Sequence, residues 1–313
     1  MTKKSNSIAE PKVSRPRSKR ARIAPVPTPS DAALVLNARA SSRAKDRRTT
    51  VRHAFIGSGW HVGEPAADDP PLARLLRASK GGNIRLKLYL AVLWQAGGGD
   101  ERHSVEWPAR TWAALLDLPD PEQRGDRRIR DAIRALERAE LLVADRQPGR
   151  PIRLILLRDD GSGEPYTNPG QAARATKEAG AFDRTDLYVQ LPSAFWTAGW
   201  AIVLSTPGLA MLLVMLLLTS NANESRVWIN PGQARARFGL SEDTWSRGVA
   251  ELRRQGLLEI QKKPVSEDFG WRRIRNTYTL VPTRLDGGPG QPRGEEARPG
   301  RSTRRRLSAR AKG

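Results

Sequence analysis

The chain has 313 residues, with 54 Lys and Arg against 33 Asp and Glu and a net charge of +21. It has no cysteine, which excludes a disulfide framework and a thiolate zinc site. Its histidines, His53, His61 and His103, lack metal-ligand spacing, and no Gly-Lys dipeptide begins a phosphate-binding loop.

The charge is unevenly spread. Residues 1–50 hold 13 Lys and Arg against Glu10, Asp31 and Asp46, and residues 286–313 hold 8 against Asp286, Glu295 and Glu296. These two segments carry +10 and +5, which leaves +6 for the 235 residues between them. Lys12–Arg22 and Arg301–Lys312 are rich in Arg, Lys, Pro and Ser and too poor in apolar residues to bury a core. They read as disordered basic arms, which bind polyanions by counterion release or serve only as solubilising tails. Ala32–Arg48 has the composition for a short helix on DNA. The N-terminal stretch lacks a signal peptide's apolar core, so a cytoplasmic location is expected.

Residues 51–80 carry Gly57-Ser58-Gly59-Trp60, Pro70-Pro71 and an apolar run at Leu72–Leu76, and give no functional reading. Gly57-Ser58-Gly59 lacks the strand–turn–helix of a nucleophile elbow. Ile84–Gln95 then reads as an apolar helix, and Trp107-Pro108 heads a short helix over Ala109–Leu116. In Arg124–Arg146, Ile129, Ile133 and Leu136 share one helix face, and Leu141-Leu142 opens a strand. A tight turn over Asp145–Pro151, around Pro148-Gly149, leads to a second strand at Ile152–Arg158.

Asp159–Ala181 is polar and Gly-rich and reads as a flexible interdomain linker, with Asp159-Asp160 starting a turn. Leu187–Trp200 is aromatic and expected to pack. Ala201–Leu218 is interrupted by Ser205-Thr206-Pro207-Gly208, leaving Leu209–Leu218, short of the roughly 20 residues a span needs. A buried helix with Thr206 as N-cap is expected instead of a membrane span. Trp228-Ile229-Asn230-Pro231 heads a short helix over Gly232–Phe238. Ser241 then caps a helix whose buried face is Trp245, Val249 and Leu252, Gly256 stops it, and Leu257–Ile260 opens a strand. The second strand lies at Thr277–Val281 and the wing between them at Pro264–Asn276.

The second series repeats the first. Placing Leu141-Leu142 on Leu257-Leu258 puts Ile129 on Trp245, Ile133 on Val249 and Leu136 on Leu252. The expected fold is mainly α with small β-wings: two tandem winged-helix domains flanked by disordered basic tails. The boundaries are an arm at 1–50, domain 1 at 51–158, a linker at 159–185, domain 2 at 186–285 and a tail at 286–313.

Leu240, Ser241, Thr244, Trp245, Arg247, Leu252 and Gly256-Leu257-Leu258 form a pattern that resembles winged-helix transcriptional regulators. Glu242 departs from it, standing where many of those proteins carry a DNA-contacting Arg. The tandem arrangement with basic arms at both ends is similar to plasmid replication initiators. That resemblance implies sequence-specific double-stranded DNA binding, host replication proteins as partners and a nucleoid- or plasmid-associated place, while the residues themselves lead us to expect no catalysis, no cofactor or metal and no membrane span. A transcriptional repressor and a nucleoid-packaging protein driven by its arms stay open beside it.

The residues expected at DNA follow from the exposed helix faces and the wings. In the second domain Thr244 and Arg247 read bases, Arg235 and Arg237 reach phosphates, and Arg272, Arg273 and Arg275 lie along the backbone or minor groove. In the first domain the set is Arg124, Arg127, Arg128, Arg130 and Arg134, with Arg150 on the turn beside Arg146 and Arg153. Glu122, Asp126 and Asp131 are placed to pair some of these, which would make them ion-paired surface. On this reading the first domain anchors, the second specifies, and the linker lets both occupy successive major grooves.

Overall fold

The computed structural model describes residues 27–58, 69–77, 82–98, 102–181, 184–220, 226–229, 231–268 and 271–290. In chain order the elements are α1 (Asp31–Arg43), β1 (Thr49–Arg52), α2 (His53–Ile56), α3 (Pro71–Arg77), α4 (Gly82–Ala96), β2 (Ser104–Glu106), α5 (Ala109–Leu115), α6 (Asp126–Arg138), β3 (Leu142–Asp145) and β4 (Arg153–Leu156). There follow α7 (Pro169–Glu178), β5 (Tyr188–Leu191), α8 (Ala194–Thr197), α9 (Trp200–Val203), α10 (Thr206–Ser220), β6 (Arg226–Val227), α11 (Pro231–Phe238), α12 (Glu242–Arg254), β7 (Leu258–Asp268) and β8 (Trp271–Leu280). The described residues are mainly helical, and the strands pair antiparallel in small sheets.

One order of elements occurs twice. Helix, strand, helix, helix, strand, strand is α4-β2-α5-α6-β3-β4 in the first unit and α10-β6-α11-α12-β7-β8 in the second. Both sheets run first–third–second strand, β2-β4-β3 and β6-β8-β7. α6 and α12 are each 13 residues long and end the same way. Leu141 N–H donates to the Leu136 carbonyl at 3.1 Å, and Leu257 N–H to the Leu252 carbonyl at 2.9 Å. This closure puts the residue after the cap in the left-handed region, held by Gly256 at φ 72° but by Glu140 at φ 56° in the first unit. The N-terminal ends differ. Ser241 caps α12 by accepting from Thr244 N–H at 3.2 Å, whereas α6 follows a wide turn over Pro121–Gly125 headed by Asp120.

The two units share one core. β1 pairs with β5 from Thr49↔Leu191 to Arg52↔Tyr188, joining the segments that precede each unit. Trp94 of α4 stacks on Trp196 of α8 with ring centroids 4.6 Å apart and planes 1° from parallel. Trp196 Nε1 donates to Thr49 Oγ1 at 2.9 Å. Lys87 of α4, buried, donates to the Ile202 carbonyl at 2.6 Å, and burial pushes its pKa down to about 8 despite the nearby Glu251 carboxylate. Ser58 N–H donates to the Arg237 carbonyl at 2.9 Å, so the stretch after α2 meets α11 of the second unit.

Several expectations change. The basic arms Lys12–Arg22 and Arg301–Lys312 lie outside the described residues. Residues 31–43, read as part of a disordered arm, form α1, whose Ala33, Asn37, Ala40 and Ser41 are buried. Ser30 accepts from Ala33 N–H and donates to Asp117, and Asn37 Nδ2 donates to the Leu115 carbonyl at 2.9 Å, docking α1 on the end of α5. The stretch 159–185, expected as a flexible linker, contains α7 and begins with Asp159 fully buried against Arg52 at 2.5 Å. Ala201–Leu218 divides into α9 and α10, and Ser205 rather than Thr206 accepts from Gly208 N–H, at 3.3 Å. Among the described residues no helix is long and apolar enough to cross a membrane.

The inward face of α12 is wider than expected: Trp245 and Val249 do pack against the core, but at its margin. Leu252 is buried, but its buried companions are Gly248 and Glu251, while Trp245 and Val249 are half-buried. A Cβ on Gly248 would collide with the Pro207 carbonyl, so its absence lets α12 lie close on α10. Glu251 accepts from Ser205 N–H at 2.9 Å and from Ser205 Oγ, placing a carboxylate at the N-terminus of α10 where the helix dipole favours it. Finally, the loop expected over Pro264–Asn276 is mostly strand. β7 and β8 stay paired out to Asp268↔Trp271, with an irregularity between Pro264 and Ser266.

Candidate nucleic-acid interface

α6 separates cleanly into two faces. Ile129, Ala132, Ile133 and Leu136 are buried, and Arg127, Arg128, Arg130, Asp131, Arg134 and Arg138 are exposed. At 100° per residue Arg127, Asp131, Arg134 and Arg138 form the stripe opposite the core. Arg138, which this spacing makes legible in the sequence, was not among the expected contacts. Arg124 is exposed in the preceding turn, its N–H donating to Asp120 at 3.4 Å. Among the described residues no carboxylate pairs with Arg124, Arg127, Arg128, Arg138 or Arg150.

The remaining arginines line a cleft of about 220 Å³ between α6 and the β3–β4 turn. Arg130, Arg134, Arg146 and Arg150 surround it, with Ile133 and Ile152 among them. Three of the four have partners. Arg130 pairs with Asp126 at 2.6 Å, Arg134 pairs with Asp131, and Arg146 pairs with Glu137 at 2.5 Å. The Arg146 hydrogen bond holds Glu137 below the usual carboxylate range. The ion-paired reading thus fits Arg130 and Arg134. Both are more than half exposed, so these pairs are weak and exchange readily for another anion.

The second unit presents a different surface. Thr244 is half-buried, its hydroxyl 2.9 Å from Ser241 Oγ, so it belongs to the helix cap and not to the outward face. Arg247 is exposed and pairs with Asp243 at 3.1 Å. Arg253 and Arg254 are exposed at the far end, while Glu242 and Asp243 occupy the first turn. Position for position, Arg127 and Arg128 of α6 are replaced here by Asp243 and Thr244. The N-terminal half of α12 is therefore acidic where that of α6 is basic.

Arg235 is exposed on α11. Arg237 is half-buried, with its guanidinium 5.5 Å from the Phe238 ring centroid, and burial lowers its pKa; it faces the seam between units. Arg275 sits over the Trp228 ring at 4.0 Å, tying β8 to the segment before α11. Arg272 and Arg273 lie in β8 opposite Glu267 and Ser266, and their side chains fall outside the described residues, as does that of Trp271. Among the described residues no group of His, Asp and Glu is arranged to hold a metal ion.

No family model and no curated protein matches the chain. Function is therefore read from geometry and charge. The exposed guanidiniums of α6 and its neighbouring turn supply five-donor forks on a rigid element, the arrangement that phosphate oxygens and guanine edges accept. Sequence reading found most of them from the spacing of the apolar face. It placed Arg146 and Arg150 on the turn but not the cleft, which forms only when the β3–β4 turn folds back toward α6.

Proposed function

We propose that the chain binds double-stranded DNA through two winged helices, with α6 and the β3–β4 turn as the principal contact. The observation that carries this reading is the basic face of the first unit: Arg124, Arg127, Arg128 and Arg138, which pair with no carboxylate among the described residues, beside a four-arginine cleft. The repeated element order and matching sheet order support assigning both units to the winged-helix class, in which the third helix enters the major groove. The acidic first turn of α12 assigns base reading to α6, with α12 and the β7–β8 hairpin as an auxiliary contact. Two unlike units on one core suit an asymmetric target read by a single chain, the design of a plasmid-type replication initiator acting without catalysis.

The test is selection of bound fragments from random duplex DNA by the full chain at physiological salt with competitor. A recovered motif, lost in the Arg127→Ala/Arg128→Ala variant, is the expected result. Direct repeats of that motif beside the gene would favour initiation, and a single palindrome over a promoter would favour repression. Recovery of no motif, with binding that vanishes as salt rises, refutes sequence-specific recognition and leaves charge-driven packaging.

A further inference from the structure

A second cleft, of about 450 Å³, opens where the C-terminal end of α1, the last turn of α4 and the edge strand β2 meet. Among the described residues Arg43, Arg47, Arg102, Arg153, Gln95 and Glu106 line it, four cations against one carboxylate. Glu106 is already engaged by Arg153 at 3.0 Å. Among the described residues Arg43, Arg47 and Arg102 pair with no carboxylate.

Arg47 is the informative member. Its Nε donates to the Ala44 carbonyl at 3.2 Å, but its Nη1 is buried and, among the described residues, has no hydrogen-bond partner. Burial lowers its pKa, the mark of a cation partly stripped of water. An exposed arginine without a counterion is ordinary; a buried guanidinium N–H without an acceptor is costly and rare. Two neighbours hold the arrangement. Arg43 lies over the Trp107 ring at 5.6 Å, and Gly98 leaves room for Arg47, since a Cβ there would stand 2.8 Å from Arg47 Cδ and 2.9 Å from Nη1.

The chemistry selects the ligand. Several guanidinium forks converging on a polar cleft match the oxygens of linked phosphates, and the volume lies in the range of small-molecule sites. We propose that this cleft is a phosphoryl-binding site that takes adjacent phosphates, either the phosphate chain of a free nucleotide or consecutive phosphates of a nucleic-acid backbone. It is distinct from the cleft beside α6 and does not depend on the DNA reading.

Thermal unfolding of the full chain with inorganic tripolyphosphate tests it. Anions that bind chain charges equally in folded and unfolded states leave Tm unchanged, so a rise reports a folded site. A free-oligophosphate site raises Tm by about 5 °C at a hundredfold excess over Kd. Arg47→Ala and Arg102→Ala then weaken that response at least tenfold, while Arg127→Ala/Arg128→Ala retains it. Gly98→Val, which displaces Arg47 without removing a charge, should act like Arg47→Ala and guards against a misfolded variant. The second arm measures duplex DNA affinity against salt. No rise in Tm, with the Arg43→Ala/Arg47→Ala variant binding DNA more weakly and its salt slope reduced by about 1–2, assigns the phosphates to nucleic acid. If neither arm responds to these substitutions, the proposal is wrong.

Discussion

Replacing Arg52 tests whether the stretch after β4 is structure or tether. Arg52 and Asp159 are both fully buried, joined at 2.5 Å through Nη1 and again by Arg52 N–H to the same carboxylate at 2.7 Å. Nε and Nη2 reach Asp186 at 3.1 Å, and Nη2 also donates to the Thr167 carbonyl at 2.8 Å. Arg52→Met leaves Asp159 buried with no cation and strands the Thr167 carbonyl. Breaking a buried pair from one side costs about 3–5 kcal/mol, which for a chain of this size lowers Tm by roughly 5–9 °C. Burial already raises the Asp159 pKa against the pull of Arg52, and removing that arginine raises it further. The variant's deficit should therefore be largest above neutrality and shrink as pH falls and Asp159 protonates. Circular dichroism melts of wild type, Arg52→Met, Asp159→Leu and the double variant form the cycle. The double variant should regain much of the loss, because no charge is left unpaired. A drop under 2 °C in Arg52→Met, or a double variant no better than the single, would refute the argument.

Three further outcomes follow from the packing. Gly248→Ala drives a methyl into the Pro207 carbonyl and Met211, and should cost about 1–3 kcal/mol by urea unfolding; an unchanged midpoint would mean α10 and α12 are not held at that spacing. Glu140→Gly relieves a left-handed backbone at the position where the second unit already has Gly256, and should raise the urea midpoint by the equivalent of about 0.5–1 kcal/mol. His53 is depressed to about 4, first by burial and then by the charge of Arg237. Its contribution is complete above the unfolded pKa near 6.5 and is lost as pH falls toward 4, on the order of 3 kcal/mol in all. His53→Gln should flatten that part of the stability–pH curve, and an unaltered slope would assign it elsewhere.

The repeat was legible because each third helix writes its buried face at three- and four-residue steps, and because turn residues mark the ends. Ile129, Ile133 and Leu136 are all buried where the spacing put them. On α12 the same rule found Leu252, Trp245 and Val249, which all meet the core, but not Gly248 and Glu251, which carry no hydrophobic signal. One is buried for lack of a side chain and the other because it serves the end of α10. Long-range pairing left no trace at all: nothing local to Thr49–Arg52 or Tyr188–Leu191 announces that they form a ladder. The helix at α1 was legible over Ala32–Arg48, but its docking on the fold was not. Its inward stripe is Ala33, Asn37, Ala40 and Ser41, small residues that pack well on α5 yet look like the neighbouring low-complexity arm.

For the candidate interface, sequence supplied the charges but not their pairing or their relation. The arginines at positions 127 and 128 are outward and pair with no carboxylate among the described residues, whereas Arg237 and Arg275 are held by Phe238 and Trp228, contacts that only the folded chain brings together. The larger correction concerns how the units cooperate. A flexible tether would let each unit find its own groove, with an effective concentration set by linker length. The Trp94–Trp196 stack, the β1–β5 ladder and the buried Arg52–Asp159 pair replace that tether with a packed seam. On the proposed reading, the geometry between α6 and α12 is then part of the recognition. Target spacing would be read as strictly as target sequence, because a site with the wrong spacing would forfeit one whole face and not merely lengthen a loop.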